Sequence, residues 1–252
     1  MTRHLLVVGA QRCGTTYLTA MLDAHPEIAM ARPARPEPKA FMSADLAARG
    51  LEFYHSRYFS HATTESLLGE KSTSYLERPD AAARAAVVLG SAEIVVLVRD
   101  PVARAVSNWR FSAGNSYDDR PLDLALTENL VGAHPWDKAR TSVSPYAYLE
   151  RGRYADYLEP WYTAFPGSVH VRFFEDLVGP DSGRVLAGLY DALGVDPSVQ
   201  PPCVDQPVNG NAGQAPELDQ TLVDHLRAYF KDSDARLAEL LGRHLPWETA
   251  GQ

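Results

Sequence analysis

Leu5-Leu6-Val7-Val8-Gly9-Ala10-Gln11-Arg12-Cys13-Gly14-Thr15-Thr16-Tyr17-Leu18 is the stretch whose reading decides the fold. Four consecutive aliphatic residues predict a buried strand. A loop bracketed by Gly9 and Gly14 follows, and Thr15 onward reads as a helix with Leu18, Met21 and Leu22 on its inner side. Strand, turn and helix N-terminus in that order form an anion cradle. Main-chain N–H groups converge, the helix dipole contributes roughly half a positive charge, and Arg12 adds a full one. The natural guest is a phosphate.

Gly9 and Gly14 stand at the separation found in the nucleotide-binding loop G-x-x-x-x-G-K-[ST], with Thr16 at the hydroxyl position. Thr15, however, occupies the place of the lysine, so triphosphate chemistry lacks the cation that holds the β- and γ-phosphates. The nearest positive charge is Arg12, inside the loop. It suits a ligand whose 5′-phosphate carries the transferable group directly, without a polyphosphate tail that would require Mg²⁺. A glycine-rich strand-to-helix turn with no ligand is the plainer alternative. Cys13 likewise has two readings, a reactive thiolate beside Arg12 or a small loop filler. No histidine stands next to it in sequence, and filler is the expectation.

With 252 residues and 45% hydrophobic content, the chain can bury one substantial core, which fits a single domain over residues 1–252, with or without a helical annex. Lys and Arg total 24 against 32 Asp and Glu, and a net charge of −8 argues against a nucleic acid or a long sulfated glycan as partner. A small or neutral acceptor is easier to reconcile. Oligomeric state is not legible. Met1-Thr2-Arg3-His4 runs straight into the first strand and no run is long enough for a transmembrane segment, so a cytoplasmic protein is expected. Cys13 and Cys203 are too few for a disulfide scaffold, and the eight histidines show no zinc-binding spacing, so no metal is expected.

Along the chain, His25-Pro26 closes the first helix and Glu27-Ile28-Ala29-Met30 reads as a short second strand. The prolines of residues 31–41 forbid a helix, leaving an extended loop at a strand's carboxyl end, the edge where open α/β sheets bind ligands. Glu37, held between Pro36 and Pro38, is a candidate general base, with a solvated loop glutamate as the alternative. Residues 43–61 have helical spacing. Residues 66–71 form a strand that brings Lys71 to the same edge, flanked by the hydroxyls of Ser72, Thr73 and Ser74, where it can grip an anion or simply face solvent. Residues 80–89 are helical.

Glu93-Ile94-Val95-Val96-Leu97-Val98-Arg99 is the clearest central parallel strand, with Asp100 as cap and Pro101 in the first turn of the next helix. That helix is expected to bury Val102, Val106 and Trp109. Arg99 and Ser107 can converge on a second phosphate, unless Arg99 pairs only with Asp100. Residues 112–143 are polar and turn-rich around a helix at 122–131, and carry Tyr117 and Trp136, a candidate acceptor-binding lid. Tyr146, Tyr148, Tyr154, Tyr157, Leu158 and Trp161 are expected on helices, mostly as core. Residues 168–174 form a strand, and Leu186, Leu189, Tyr190 and Leu193 an amphipathic helix ending at Gly194. The loop 195–215 contains Asn209-Gly210-Asn211-Ala212-Gly213, either a cover for a nucleotide or a linker. Two helices, near 216–230 and 232–242, precede Leu245-Pro246-Trp247.

With these pieces placed, the chain resembles the sulfotransferases that use 3′-phosphoadenosine 5′-phosphosulfate (PAPS), above all their carbohydrate-type and bacterial members. The resemblance runs through the loop ending at Leu18, His25-Pro26, Glu37-Pro38 with Phe41, Gly69-Glu70-Lys71 with Tyr75-Leu76, and Arg99-Asp100-Pro101 with Ser107. It continues through Tyr154, Leu158 and Trp161, Phe174-Glu175-Asp176-Leu177, and Leu237 to Trp247. It implies an α/β, P-loop-like three-layer fold, with a central mostly parallel sheet of five strands flanked by helices. It also implies that Gln11, Arg12, Cys13, Gly14, Thr15 and Thr16 hold the 5′-phosphosulfate, that Arg99 and Ser107 hold the 3′-phosphate, and that Glu37 deprotonates a hydroxyl acceptor while Arg12 and Lys71 serve the in-line displacement. The acceptor would be a sugar, a lipid or a secondary metabolite, and no metal is implied. Two departures stand out. The family usually has lysine where this chain has Arg12, which stabilises charge but does not readily donate a proton. The 205–213 segment lacks the basic glycine-containing pattern of the heparan-type enzymes. A P-loop kinase and a degenerate nucleotide-binding module are the alternatives; the missing lysine opposes the first, and the joint presence of Glu37, Lys71 and Arg99 the second.

Overall fold

A computed structural model describes residues 2–139, 141, 143–200 and 217–249. Its contacts partition the chain into two compact units, Met1–Val98 with Tyr157–Val208, and Arg99–Asp156 with Asn209–Gln252.

The first unit is built on five strands, β1 (Arg3–Gly9), β2 (Ile28–Met30), β3 (Leu67–Lys71), β4 (Glu93–Val98) and β5 (Val169–Phe173). They pair in the order β2-β3-β1-β4-β5, and every pairing is parallel. Parallel neighbours cannot be joined by hairpins, so helices fill the crossovers. They are α1 (Thr15–Asp23), α2 (Ala44–Ala47), α3 (Gly50–Tyr58) and α4 (Pro79–Leu89). Leu5 to Val8 and Ile94 to Val98 are wholly buried, as the two central strands of a sheet covered on both faces must be. The outer strand β5 is only partly buried and joins its neighbour through a polar contact, His170 Nε2 to Glu93 Oε2 at 2.7 Å.

The helix α1 is tied down from the far end of the chain. The Tyr190 hydroxyl donates to the Met21 carbonyl at 3.0 Å, and the His25 ring sits edge-on to Tyr190 with centroids 4.6 Å apart.

The second unit is helical. It holds α5 (Pro101–Gly114), α6 (Leu122–Asn129), a 3₁₀ turn at Glu150–Gly152, the start of α7 (Ala155–Ala164) and, late in the chain, α10 (Gln220–Leu241). The first unit completes its set with α8 (Phe174–Val178) and α9 (Ser182–Ala192). Val102, Ala105, Leu122, Leu126, Tyr148 and Phe230 share the core of the second unit.

Three expectations change in this second unit. Buried α5 positions include Arg104, Asn108 and Ser112, whereas Val106 and Trp109 are only partly covered. The cause is the neighbouring chain at 144–149, which is irregular and leaves carbonyls that need donors. Ser112 Oγ donates to the Pro145 carbonyl at 2.6 Å, Asn129 Nδ2 to Tyr146 at 2.8 Å, and Arg104 to Tyr148. Tyr146, Tyr148 and Tyr154 accordingly lie outside the helices. The two expected C-terminal helices are one, α10, in which Ser233 and Asp234 are buried rather than breaking the rod, and Gly242 at φ 61° ends it.

Segment 112–143 is anchored by charge. Arg120 meets Asp118 at 2.6 Å and Glu128 at 2.5 Å, and the Tyr148 hydroxyl adds a 2.6 Å bond to Asp118. Burial alone would raise the Asp118 carboxyl; the Arg120 and Tyr148 donors outweigh it and hold the group below its usual range.

Candidate active site

Three adjacent strands, β2, β3 and β1, each lead at their carboxyl ends into a segment that carries chemistry. After β1 the loop is pinned at once, since the Ala10 amide donates to the Leu97 carbonyl of β4 at 2.7 Å. Arg12 (φ 68°) and Gly14 (φ 84°) both adopt left-handed backbone, on either side of Cys13, whose amide donates to the Ala10 carbonyl at 3.3 Å. Gly14 is the N-cap of α1 and supplies no side-chain bond to the helix start. The first turn of α1 thus begins with no side-chain cap, and the positive end of its dipole favours an anion there. Any Cβ at Gly14 would run into the Phe174 ring, and any Cβ at Gly9 would stand 2.7 Å from Leu76 Cβ. Glycine is required at both ends.

The other predicted loop residues fall around this cradle. Cys13 is fully buried, with Sγ 3.8 Å from the Gln11 carbonyl, as a filler would be. Gln11 reaches Glu77 at 3.4 Å. Thr15 is buried and Thr16 half-buried at the helix start. These contacts fit an oxyanion in the cradle, because the glycines and the uncapped N-terminus present donors rather than side-chain bulk.

The segment after β2 crosses to β3. The Ala31 amide donates to Gly69 at 2.7 Å, and Glu37, seven residues past Met30, meets Lys71 Nζ at 3.2 Å through Oε1. Thr73 clamps the same carboxylate, its amide donating to Oε2 at 3.1 Å and its hydroxyl lying 3.1 Å from Oε1 and 3.2 Å from Oε2. Glu37 and Lys71 are both largely shielded, with 18% and 13% of their side-chain surface exposed. The structure thus brings these two predicted residues together. Thr73 had stood in the sequence only as one flanking hydroxyl of three. Its role was not visible there, because 36 residues separate it from its partner.

In the second unit, Arg99 directly follows β4 and Ser107 lies two turns along α5. The Tyr154 hydroxyl donates to the Arg99 carbonyl at 2.8 Å, fixing the backbone where the strand ends. Asp100 caps α5 by accepting from the Val102 amide at 2.9 Å. Its two oxygens also accept from Arg227 of α10, at 2.7 and 2.8 Å. That two-pronged bond was invisible in the sequence, since the partners lie 127 residues apart. The segment 205–213 lies outside the described residues, as does most of 195–215.

The family described as Sulfotransferase domain matches residues 2–198. Across 96% of its length the chain is 26% identical to the mouse bifunctional heparan sulfate N-deacetylase/N-sulfotransferase 1, of which it covers 30%. Against the mouse heparan sulfate glucosamine 3-O-sulfotransferase 3B1 the identity is 24%, over 96% of this chain and 64% of the relative. The chain thus spans 30% and 64% of the length of these two relatives. A crystal structure of a sulfotransferase from Alicyclobacillus acidocaldarius superposes with a TM-score of 0.78 at 24% identity, covering 97% of this chain and 98% of that one, which establishes the shared fold. Among the described residues, no helix is long and apolar enough to cross a membrane.

Proposed function

Since the chain belongs to the sulfotransferase-domain family, we propose that it moves a sulfuryl group from PAPS to a hydroxyl of a small acceptor. The observation that carries this reading is the shared sheet edge. The glycine cradle after β1 and the Glu37–Lys71 pair beyond β2 and β3 issue from three neighbouring strand ends. When bound, PAPS supplies the sulfuryl group and leaves as 3′,5′-ADP.

In this reading residues 11–16 hold the 5′-phosphosulfate through main-chain N–H groups and the Arg12 guanidinium. Arg99 and Ser107 hold the 3′-phosphate. Glu37 takes the proton from the acceptor hydroxyl, and the Thr73 clamp keeps its carboxylate oriented toward that task. Lys71 and Arg12 stabilise negative charge as it develops on the oxygens in transit. Arginine serves that purpose without donating a proton, so any proton delivered to the leaving group falls to Lys71. Phosphotransfer is not favoured, since Thr15 fills the lysine position and the family match is to sulfotransferases.

The named relatives are heparan sulfate enzymes, yet a net charge of −8 opposes a long sulfated polymer. We therefore assign a sugar, lipid or secondary-metabolite acceptor, with 112–143 on the acceptor side. Two cysteines in the chain suit a reducing, cytoplasmic setting.

The deciding experiment is Glu37→Gln. Turnover of PAPS with a hydroxyl acceptor is expected to fall ~10²-fold or more while 3′,5′-ADP affinity stays nearly intact, the scale for a positioned base. Unchanged turnover would remove Glu37 from the mechanism.

A further inference from the structure

Behind the Glu37–Lys71 pair lies a second carboxylate that the mechanism above does not use. Glu70 is wholly buried on β3, next to Lys71. It receives three hydroxyls, Tyr54 on Oε2 at 2.7 Å and both Ser72 and Tyr75 on Oε1 at 2.6 Å. Two of those hydroxyls are themselves acceptors. The Lys39 amide donates to Ser72 Oγ at 2.9 Å, and the Phe41 amide donates to the Tyr75 hydroxyl at 3.0 Å.

In this relay a main-chain N–H can only donate, so each hydroxyl gives one of its lone pairs to the backbone, and with Glu70 ionised its proton goes to the carboxylate. An acceptor-only carboxylate is the one side chain of that size able to end both chains and take Tyr54 as well. Burial pushes the Glu70 carboxyl above its usual range, and the three hydroxyls, which favour the charged form, offset only part of that.

The two amides anchored in this way sit just after Glu37, at Lys39 and Phe41, on a segment with no regular secondary structure to hold it. Lys39 also takes a left-handed backbone (φ 52°), so an outside bond is needed to fix it. Thr73 grips the Glu37 carboxylate directly, while Ser72 and Tyr75 grip the chain that follows it.

We infer that Glu70 is a positioning residue: through Ser72 and Tyr75 it holds the 37–41 segment against β3 and so sets where the Glu37 carboxylate stands beside Lys71. The inference rests on the sulfotransfer reading for its kinetic consequence but not for its structural one. Tyr54 provides the internal control. Its hydroxyl bonds Glu70 rather than the main chain of residues 37–41.

The test compares Ser72→Ala, Tyr75→Phe, Tyr54→Phe and Glu70→Gln by amide hydrogen exchange at Lys39 and Phe41, by kcat and by 3′,5′-ADP binding. Ser72→Ala should speed exchange at Lys39, and Tyr75→Phe at Phe41, each by about tenfold or more, with kcat lowered at least about fivefold and 3′,5′-ADP affinity within about twofold. Glu70→Gln should loosen both amides. Tyr54→Phe should lower Tm but leave kcat and both amides within about twofold.

The relay is overturned if Tyr54→Phe slows turnover as much as Tyr75→Phe, or if Ser72→Ala and Tyr75→Phe leave kcat and exchange unchanged. Should Glu70→Gln fail to fold, the three hydroxyl variants decide alone. A wild-type protein that transfers no sulfuryl group overturns the sulfotransfer reading instead, and the exchange measurements still decide the relay.

Discussion

Replacing Gly14 by alanine separates two costs that the cradle imposes. The residue sits at φ 84°, where a Cβ costs about 1–2 kcal/mol, and part of this is returned because alanine narrows the unfolded ensemble by about 0.4–1 kcal/mol. Its Cβ would also meet the Phe174 ring, a small-to-large intrusion of the kind that costs about 1–3 kcal/mol. Together these give a net loss of about 1–4.5 kcal/mol, or a Tm lowered by roughly 2–18 °C in a chain of this size. Gly50 is the matched control. It has φ 78° with nothing within 4 Å of a built Cβ, so Gly50→Ala bears only the backbone cost, about 1 kcal/mol or a few degrees. Thermal unfolding by circular dichroism of both variants isolates the ring clash as their difference, and Gly14→Ala combined with Phe174→Leu should recover part of it. Equal losses for the two alanines, or no recovery with Phe174→Leu, would refute the close packing of the loop against α8.

Further outcomes follow from the same geometry. Arg99→Ala should weaken 3′,5′-ADP by about 10-fold or more, the worth of a charged two-pronged phosphate contact, while leaving 5′-AMP within about twofold, both read by calorimetry. Calorimetry of wild-type protein with 3′,5′-ADP should give the same affinity in EDTA as in Mg²⁺; a strict Mg²⁺ requirement would revive the kinase alternative. Burial and the adjacent His55 ring, 2.8 Å away between Nε2 atoms, hold His4 down to about 4. The unfolded chain then binds the proton first, so this contribution is complete above pH 6.5 and is lost as pH falls toward 4. It amounts to at most about 3 kcal/mol, and His4→Gln should flatten that limb of Tm against pH. Asp234 has the opposite sign. Burial pushes it up to about 6 despite the Trp247 donor and Arg227, so Asp234→Asn should raise Tm at pH 7.5 and lose that advantage below about pH 4.

The sheet and the cradle were legible because each depends on local pattern. A strand covered on both faces demands an unbroken aliphatic run, which Leu5 to Val8 and Ile94 to Val98 display, and a loop that admits no Cβ at Gly9 and Gly14 demands glycine at both. Asp100 before Pro101 announced the start of α5 for the same reason. Polar residues buried by distant partners left no such trace. Arg104 and Ser112 carry no local mark of burial, and only the irregular chain at 144–149 brings the carbonyls they bond, while Asn108 Oδ1 accepts from Arg104 at 3.1 Å. Glu70, between Gly69 and Lys71, carries no local mark of burial, and only the fold reveals that Tyr54, Ser72 and Tyr75 enclose it.

The same division runs through the candidate site. Residue types that chemistry demands, a carboxylate, a cation and a glycine turn, can be chosen from sequence because few alternatives exist. The residues that aim them cannot, because a hydroxyl serves almost anywhere and only its partner gives it a role. Thr73 and Ser72 are adjacent and chemically alike, yet one holds the Glu37 carboxylate directly while the other ties the Lys39 backbone to Glu70. Both lie just past Lys71, where β3 gives way to a turn, and that turn sends one hydroxyl to Glu37 and the other to the buried Glu70. Aiming Glu37 therefore depends on where β3 ends and the turn begins, a property of the fold that neither hydroxyl carries in its own identity.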